Sequence, residues 1–471
     1  MSKFVHLHVH SQYSLLDGQA SVSRIVDKAI GDGMPGIALT DHGVMYGIKE
    51  FTNYVADKNK GALKTVKELK KRIKAVESGA DDSEGMSLED LQSALKDAQA
   101  KVFIPIIGCE MYVANGSNEE RSDKHDTGRH LVVLAKNKVG YNNLIKLVSE
   151  SWTKGFYFHP RTDKESIAAR HEGLIISSAC LGGEIPRLLM RGDIDGADKA
   201  VKWWKDLMGD DYYLELQRHK ATIPDANHET YEKQKEIEPE IIRLARKYDI
   251  KLIATNDSHF VNEEDAEAHD HLICISTKAD LNDEDRMRYT KQEWLKTTDE
   301  MSLLFSDIPE ALENTNEILD KVEIYSIDHE PIMPNFAIPE DFGTEEEYRK
   351  RLTHEDLFNE FTRDEHGNVV LSQQEAEDKI EHLGGYEKLY RIKFEADYLR
   401  KLAYDGAAKR YDMPLKDEIR ERIDFELHIM KTMGFPGYFL IVQDFIRAGR
   451  EDLDVSIGPG RGSAAGSVVA Y

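Results

Sequence analysis

Three histidines alternate near the start of the chain, in His6-Leu7-His8-Val9-His10. On an extended strand, residues two apart share a face and stand about 6 to 7 Å apart, so two of the three can reach one metal ion. Alone, the pattern is equally that of a surface strand. Its company strengthens it, because other metal-competent residues fall at the edges of short apolar runs. These are Asp17 in the following loop, Asp41 and His42 after Ile37-Ala38-Leu39-Thr40, Glu110 after Ile106-Ile107-Gly108-Cys109, and His130 before Leu131-Val132-Val133-Leu134. Cys180 follows Ser177-Ser178-Ala179, and Asp257 and His259 follow Ile253-Ala254-Thr255-Asn256. Imidazoles mixed with carboxylates and one thiol suit Zn²⁺, Mn²⁺ or Fe²⁺ rather than Ca²⁺ or a cysteine-only cluster. Nine such donors exceed what one ion accepts. Two or three ions sharing carboxylates would use them, and such clusters stabilise both the attacking and leaving oxygens of a phosphoryl displacement. Phosphoester hydrolysis is the chemistry this implies. Asp41, beside His42, is expected to orient a ligand imidazole rather than to bind.

Donors scattered over some 250 residues need a fold that gathers them. The first 55 residues read strand, loop, helix, strand, helix: Phe4 to His10 alternates, Ser21 to Ile30 has helical spacing, and Pro35 to Thr40 is a short buried strand. Further apolar runs at 103–108, 130–135, 173–178, 212–216 and 251–255 are mostly followed by helical patterns. This rhythm predicts parallel β/α packing. Polar residues at so many strand ends favour a barrel, whose functional groups meet on one rim, over an open sheet. Lys58 to Lys101 interrupts the rhythm as an inserted helical hairpin whose Lys60 to Lys74 run reads as a solvated face or a contact for nucleic acid. The sequence places a metal-binding barrel at 1–280 and a charged, strand-poor domain at 281–471. His125, His159, His171, His219, His228, His269 and His271 are assigned to surface or core.

The chain has 471 residues and a formal charge of -25 from 62 Lys plus Arg against 87 Asp plus Glu. A surface that acidic repels phosphate backbones except where basic residues gather, which excludes a general nucleic-acid coat protein. Three cysteines cannot form a disulfide framework. With no apolar leader and no membrane-length run, a reducing, cytoplasmic setting and no membrane partner are expected.

The motifs His8-Val9-His10-Ser11, Thr40-Asp41-His42-Gly43 and Asn256-Asp257-Ser258-His259 resemble the polymerase and histidinol phosphatase (PHP) family. More closely, His6 to Gly18, Ser178 to Pro186, and Gly437 to Asp444 through Gly458-Pro459-Gly460-Arg461-Gly462-Ser463 resemble the alpha subunits of bacterial DNA polymerase III, the C-family replicative polymerases. The resemblance spans the chain apart from the 58–101 insertion and a variable region at 340–416. It implies a PHP-type distorted (β/α)7 barrel followed by a mostly helical, truncated polymerase palm region. By position it assigns the barrel ligands to His8, His10, Asp17, His42, Glu110, His130, Cys180, Asp257 and His259, all able to bind metal. Cys180 stands where many relatives outside the polymerases have His. Because no ligand is lost, the resemblance implies a metal-loaded barrel able to act as a 3′ to 5′ proofreading exonuclease. Two alternatives stay open: a free-standing phosphoesterase for a small phosphate ester, and a metal-stabilised scaffold that docks a separate proofreading exonuclease.

The glycine loop has the ingredients of an anion site: glycines that let backbone N–H groups approach a phosphate, a helix start, and Arg461 and Ser463 as side-chain donors. A generic turn has the same composition. The resemblance assigns Gly460, Arg461, Gly462 and Ser463 to the triphosphate of an incoming nucleotide. It also implies primer-template DNA and dNTP as substrates, Mg²⁺ for polymerisation, and sliding clamp and clamp loader as partners of the full-length protein. The polymerase aspartates of that family lie past the glycine loop, and no acidic residue follows Asp454 here, so a piece of a longer subunit is expected.

Overall fold

The computed structural model describes residues 4–78, 86–329, 332, 334–458, 460 and 462–471. Its contacts separate two units, Met1–Asp328 and His329–Tyr471.

The first unit is built on eight strands: β1 (Gly36–Leu39), β2 (Ile104–Val113), β3 (Arg129–Ala135), β4 (Phe156–Tyr157), β5 (His159–Thr162), β6 (Leu174–Ser177), β7 (Tyr212–Leu216) and β8 (Lys251–Ala254). The main sheet runs β1-β2-β3-β6-β7-β8, and the short β4–β5 hairpin joins the far end of β2. Residues 4–10 close the remaining gap. On one side Ala38 and Thr40 donate backbone hydrogen bonds to His6 and Val9; on the other, His10 donates to Ser258 and Ser258 to His8. Counting that segment, seven staves surround the interior, as the sequence implied. The segment is not a regular strand, however. It bends at His8 and keeps only one isolated bridge, Val9 to Ser258.

A second departure is direction. The β1–β2, β6–β7 and β7–β8 pairs are parallel, but β3 runs antiparallel to both β2 and β6. Period-two alternation gives apolar contacts on both faces of a buried strand whichever way it runs, so the sequence rhythm carried no sign of the reversal.

The alternation sorts side chains into two layers. Ile106, Val132, Leu134, Ile175, Tyr213 and Ile253 point inward with Val5 and Leu7. Ile107, Leu131, Val133, Ile176, Leu214 and Ala254 point outward, under helices such as Val22–Gly31, Lys138–Thr153, Ile194–Met208 and Glu229–Tyr248. Helix Glu310–Lys321 plugs the interior from below through Ile318 and Leu319, followed by Val322, with Thr315 Oγ1 accepting from the Val5 N–H at 3.1 Å. Residues 281–328 therefore belong to the barrel unit. A charged amphipathic helix reads the same from sequence whether its apolar stripe meets a barrel floor or another helix.

The insertion is a helical hairpin, Ile48–Glu77 against Leu88–Gln99, joined through Leu69, Leu91 and Ala98. Among the described residues no helix is long and apolar enough to cross a membrane. The second unit is helical. Its longest helix, Gly385–Arg410, packs with Gln373–His382, Asp417–Thr432 and Pro436–Glu451.

One buried cation ties down the long β2–β3 connection. Arg161 is fully buried and donates to Asp126 Oδ2 (3.1 Å) and to the carbonyls of Asn118 (3.2 Å), Glu120 (2.6 Å), Asp126 (3.1 Å) and Gly155 (3.4 Å). Arg161 thus serves the packing of this connection. Arg161→Met leaves the Asp126 carboxylate and these carbonyls without their donor, and is expected to cost about 3–5 kcal/mol, measured as a lower urea midpoint for the first unit. A shift no larger than that of a surface substitution would remove this role.

Candidate metal centre

Two residues past the inward apolar row, the interior becomes polar. Ser177 on β6, Glu215 on β7 and Thr255 after β8 occupy the next inward positions; on β2 Gly108 stands there and Glu110 one inward position further. β3 runs the other way and so contributes its first inward residue, His130. Gly182 lies against that ring: a Cβ there would stand 2.8 Å from its Cγ and Nδ1. Asp257 sits just past β8 in the left-handed region (φ 45°), which turns its carboxylate back over the rim.

All nine predicted donors meet here. Glu110 is the hub: Oε1 lies 3.3 Å from His8 Nε2 and 2.9 Å from His130 Nδ1, and Oε2 lies 3.3 Å from His10 Nε2 and 2.8 Å from His42 Nδ1. Asp257 Oδ1 is 3.2 Å from His8 Nε2 and 3.1 Å from His10 Nε2. Asp17 Oδ2 faces His42 Nε2 at 2.9 Å and His259 Nε2 at 3.4 Å. Cys180 Sγ is 3.4 Å from His130 Nδ1 and 3.7 Å from Glu110 Oε1. His6, which strict alternation would add, faces away and meets the Lys296 carbonyl at 2.8 Å, because the chain bends at His8.

The outer ring nitrogens fix the tautomers. His8 Nδ1 donates to Glu215 Oε1 (3.0 Å), His259 Nδ1 to the Asp257 carbonyl (2.8 Å), and His10 Nδ1 to Ser14 Oγ (2.9 Å). Ser14 Oγ in turn donates to Asp41 Oδ1 at 2.9 Å. Asp41 therefore reaches an imidazole, that of His10 through Ser14 and not that of its neighbour His42. Glu215 is itself held by Ser177 Oγ and Thr255 Oγ1, each at 2.6 Å. With Nδ1 committed, Nε2 of His8, His10 and His259 is the nitrogen turned inward, and its lone pair is open to a metal once any proton there is displaced. Among the described residues these three atoms, Glu110 Oε2 and Asp257 Oδ1 are buried yet find no hydrogen-bond partner. Buried polar atoms are rarely left so, and lone pairs converging from several sides fit a cation.

The donors form three overlapping groups whose ligand atoms lie within 4.8 Å of one another: His10, His42, His259; His8, His10, Glu110, Asp257; and His42, Glu110, His130. The set suits metal binding. Electrostatics agree. Burial opposes charge on His8 and His42, but the surrounding carboxylates outweigh it and hold both well above the usual imidazole range. His259 is likewise raised to about 9 against its burial by Asp17 and Asp257. Glu110 and Asp257 are held well below the carboxylate range, their burial overcome by the imidazoles. Burial, then Glu110 and Asp257, push the Cys180 thiol up; a bound cation would reverse that preference.

A cavity of about 700 Å³ opens above the rim, lined by Asp17, His42, His130, Cys180, Asp257 and His259 among others. Tyr289 borders it and donates to Asp17 Oδ1 at 2.8 Å. Sequence reading missed Tyr289, Ser14 and Glu215. For Glu215 a signal existed: an acid two residues after the inward Tyr213 must also face the interior.

The glycine loop is in the second unit. Gly462 has φ 88°, and Ser463–Gly466 is a single 3-10 turn, not the expected start of an α-helix. Gly460 is described, whereas Arg461 and the side chain of Ser463 lie outside the described residues. The segment that follows is anchored by Glu426 Oε2, which accepts from Ser467 Oγ (2.7 Å) and the Val469 N–H (3.1 Å).

Two outcomes follow for the metal centre. Below pH 6.5 the His259 imidazolium is present folded and unfolded, and its attraction to the carboxylates contributes fully to stability. As pH rises through about 9 the folded ring gives up its proton and that contribution is lost. The melting temperature of chelator-treated protein should therefore fall between pH 6.5 and 9, and that of metal-loaded protein should not, since metal replaces the protons. Glu215→Gln should weaken metal binding about 10–100-fold by competition with a chromogenic chelator; unchanged affinity would deny Glu215 its orienting role.

Residues 6–219 match the family model for the PHP domain, and residues 397–471 match that for the bacterial DNA polymerase III alpha NTPase domain. DNA polymerase III subunit alpha of Borreliella burgdorferi is 37% identical over 100% of this chain and 32% of its own length. The Treponema pallidum subunit is 34% identical over 99% of this chain and 31% of its own. The Thermus aquaticus subunit is 33% identical over 100% and 35%. The chain thus spans about a third of the length of the curated relatives it matches. It carries a PHP domain followed by polymerase alpha sequence, and it belongs to the DNA polymerase III alpha subunit family.

Proposed function

We propose that the chain is the amino-terminal part of a cytoplasmic replicative DNA polymerase subunit, and that its barrel is a metal-dependent phosphodiesterase trimming 3′ ends. In the whole protein, template-directed synthesis would use primer-template DNA, dNTP and Mg²⁺, with sliding clamp and clamp loader as partners. Gly460, Arg461, Gly462 and Ser463 are proposed to meet the nucleotide triphosphate. His8, His10, Asp17, His42, Glu110, His130, Cys180, Asp257 and His259 are proposed to hold two or three ions of Zn²⁺, Mn²⁺ or Fe²⁺.

The observation that carries the barrel reading is the set of buried Nε2 and carboxylate atoms that face one another without hydrogen bonds. Bound divalent ions supply positive charge for phosphoryl oxygens and lower the pKa of water. The chain's own residues prepare that chemistry. Glu215, Ser14 and the Asp257 carbonyl fix three imidazoles, Glu110 spans two of the donor groups, and Tyr289 holds Asp17 at the mouth. A free-standing phosphatase would have no use for the helical unit at 329–471.

Metal analysis of the purified chain should find two to three ions per molecule. Hydrolysis of single-stranded and mismatched primer ends should fall at least about 10²-fold in Asp257→Asn and in His8→Ala. Metal bound at substoichiometric levels, or hydrolysis untouched by both substitutions, would overturn the nuclease reading. Stoichiometric metal without hydrolysis would favour a metal-stabilised scaffold for a separate exonuclease.

A further inference from the structure

Most arginines of the first unit are paired: Arg24, Arg161, Arg170, Arg218, Arg243, Arg286 and Arg288 each meet a carboxylate. Arg129, Arg187 and Arg191 break the pattern. Among the described residues they form no ion pair or side-chain hydrogen bond, and Nη1 of Arg129 is buried without a partner. They also lie together: next to Arg129, His130 bridges Gly183 and donates its N–H to the Gly182 carbonyl at 3.0 Å, and Gly183 starts the helix Glu184–Met190 that carries Arg187 and ends at Arg191. The nearby acids are engaged elsewhere. Asp126 meets Arg161 at 3.1 Å, and Glu184 takes Lys164 at 2.7 Å and Trp204 Nε1 at 3.0 Å. In a chain of net charge -25, three adjacent cations without counter-charge call for an external anion.

Their place says which anion. Arg187 and Arg191, with Lys233, line a hollow of about 440 Å³. Leu181 and Thr230 border both this hollow and the metal cavity, so the two are contiguous. Arg129 directly precedes His130, and Leu181 directly follows Cys180. Arg187 and Arg191 are one helical turn apart, about 6 Å along the axis, a spacing of the order of that between successive phosphates of an extended strand. We infer that Arg129, Arg187 and Arg191 form a backbone track that holds the phosphodiesters of a single nucleic-acid strand leading to the metal centre. Guanidinium forks suit phosphate oxygens, and no base-specific group is needed. This rests on the phosphodiesterase reading above and adds its strand path.

The test uses the intact 471-residue chain in EDTA, so that binding is read without hydrolysis. Fluorescence anisotropy follows a labelled single-stranded DNA of about 12 nucleotides against salt. The double variant R187E/R191E should lose on the order of tenfold in affinity, and its log–log salt slope should shrink by about 1.4, at roughly 0.7 per phosphate contact. R187K/R191K should keep most of the binding. K96E/K101E, the same charge change at two exposed lysines outside the Lys60 to Lys74 run, should bind as wild type does. Wild-type affinity in R187E/R191E with an unchanged melting temperature would overturn the track. Equal affinity for a mononucleotide and the 12-mer would also overturn it, in favour of an isolated phosphate site.

A parallel assay separates this inference from the one beneath it. With metal restored, hydrolysis of bis(p-nitrophenyl) phosphate should be the same in wild type and R187E/R191E. If wild type splits no diester yet the binding results hold, the hydrolytic reading fails and the track stands.

Discussion

A carboxylate buried at the mouth of a barrel must find positive charge within a few ångströms or give up its own. Glu110 sits under that constraint with four imidazoles around it. They arrive from three separate parts of the chain, so the hub on β2 is satisfied only when the residue 4–10 segment, β1 and β3 are all in place. Asp257 and Asp17 repeat the arrangement on either side. The rim is therefore an assembly in which charge balance and strand register depend on each other: a one-residue slip in any stave would turn its donor outward and leave a carboxylate unpaired.

The same dependence explains why much of the site could be read from the sequence. A donor beside a short apolar run is, on a barrel, a donor near the rim, and all nine positions chosen on strand ends and family resemblance converge. Seven staves and the helical hairpin were legible for a similar reason, since local periodicity specifies elements well. What escaped was information that periodicity does not hold. His6 fits the alternation but not the bend at His8. The reversal of β3 leaves its apolar pattern unchanged. Glu215 acts only through a ring 207 positions away, Ser14 reaches its ring across a local bend that periodicity does not describe, and Asp41 serves His10, thirty-one positions earlier, rather than the histidine beside it.

Net charge taken over a whole chain also hides what matters locally. The acids of the rim are consumed by imidazoles, and those along the outer helices by lysines and arginines. The surplus is then spread over solvated faces, where ions screen it within about 10 Å. Against that background even three unpaired arginines make a local field of the opposite sign. An acidic protein can thus present a positive path without any basic domain.

The floor of the barrel bears on what can be separated from what. Helix Glu310–Lys321 supplies Ile318 and Leu319 to the same core as Val5 and Tyr213, and Tyr213 OH donates to Glu317 at 2.9 Å. A fragment ending where the strand–helix rhythm fades would keep every rim donor and still have an open base, with apolar side chains facing water opposite the charges they help to keep dry. The smallest self-sufficient form of the rim is therefore defined by its plug and not by its last ligand, and transplanting it to another context means carrying some fifty further residues that contain none of the nine rim donors.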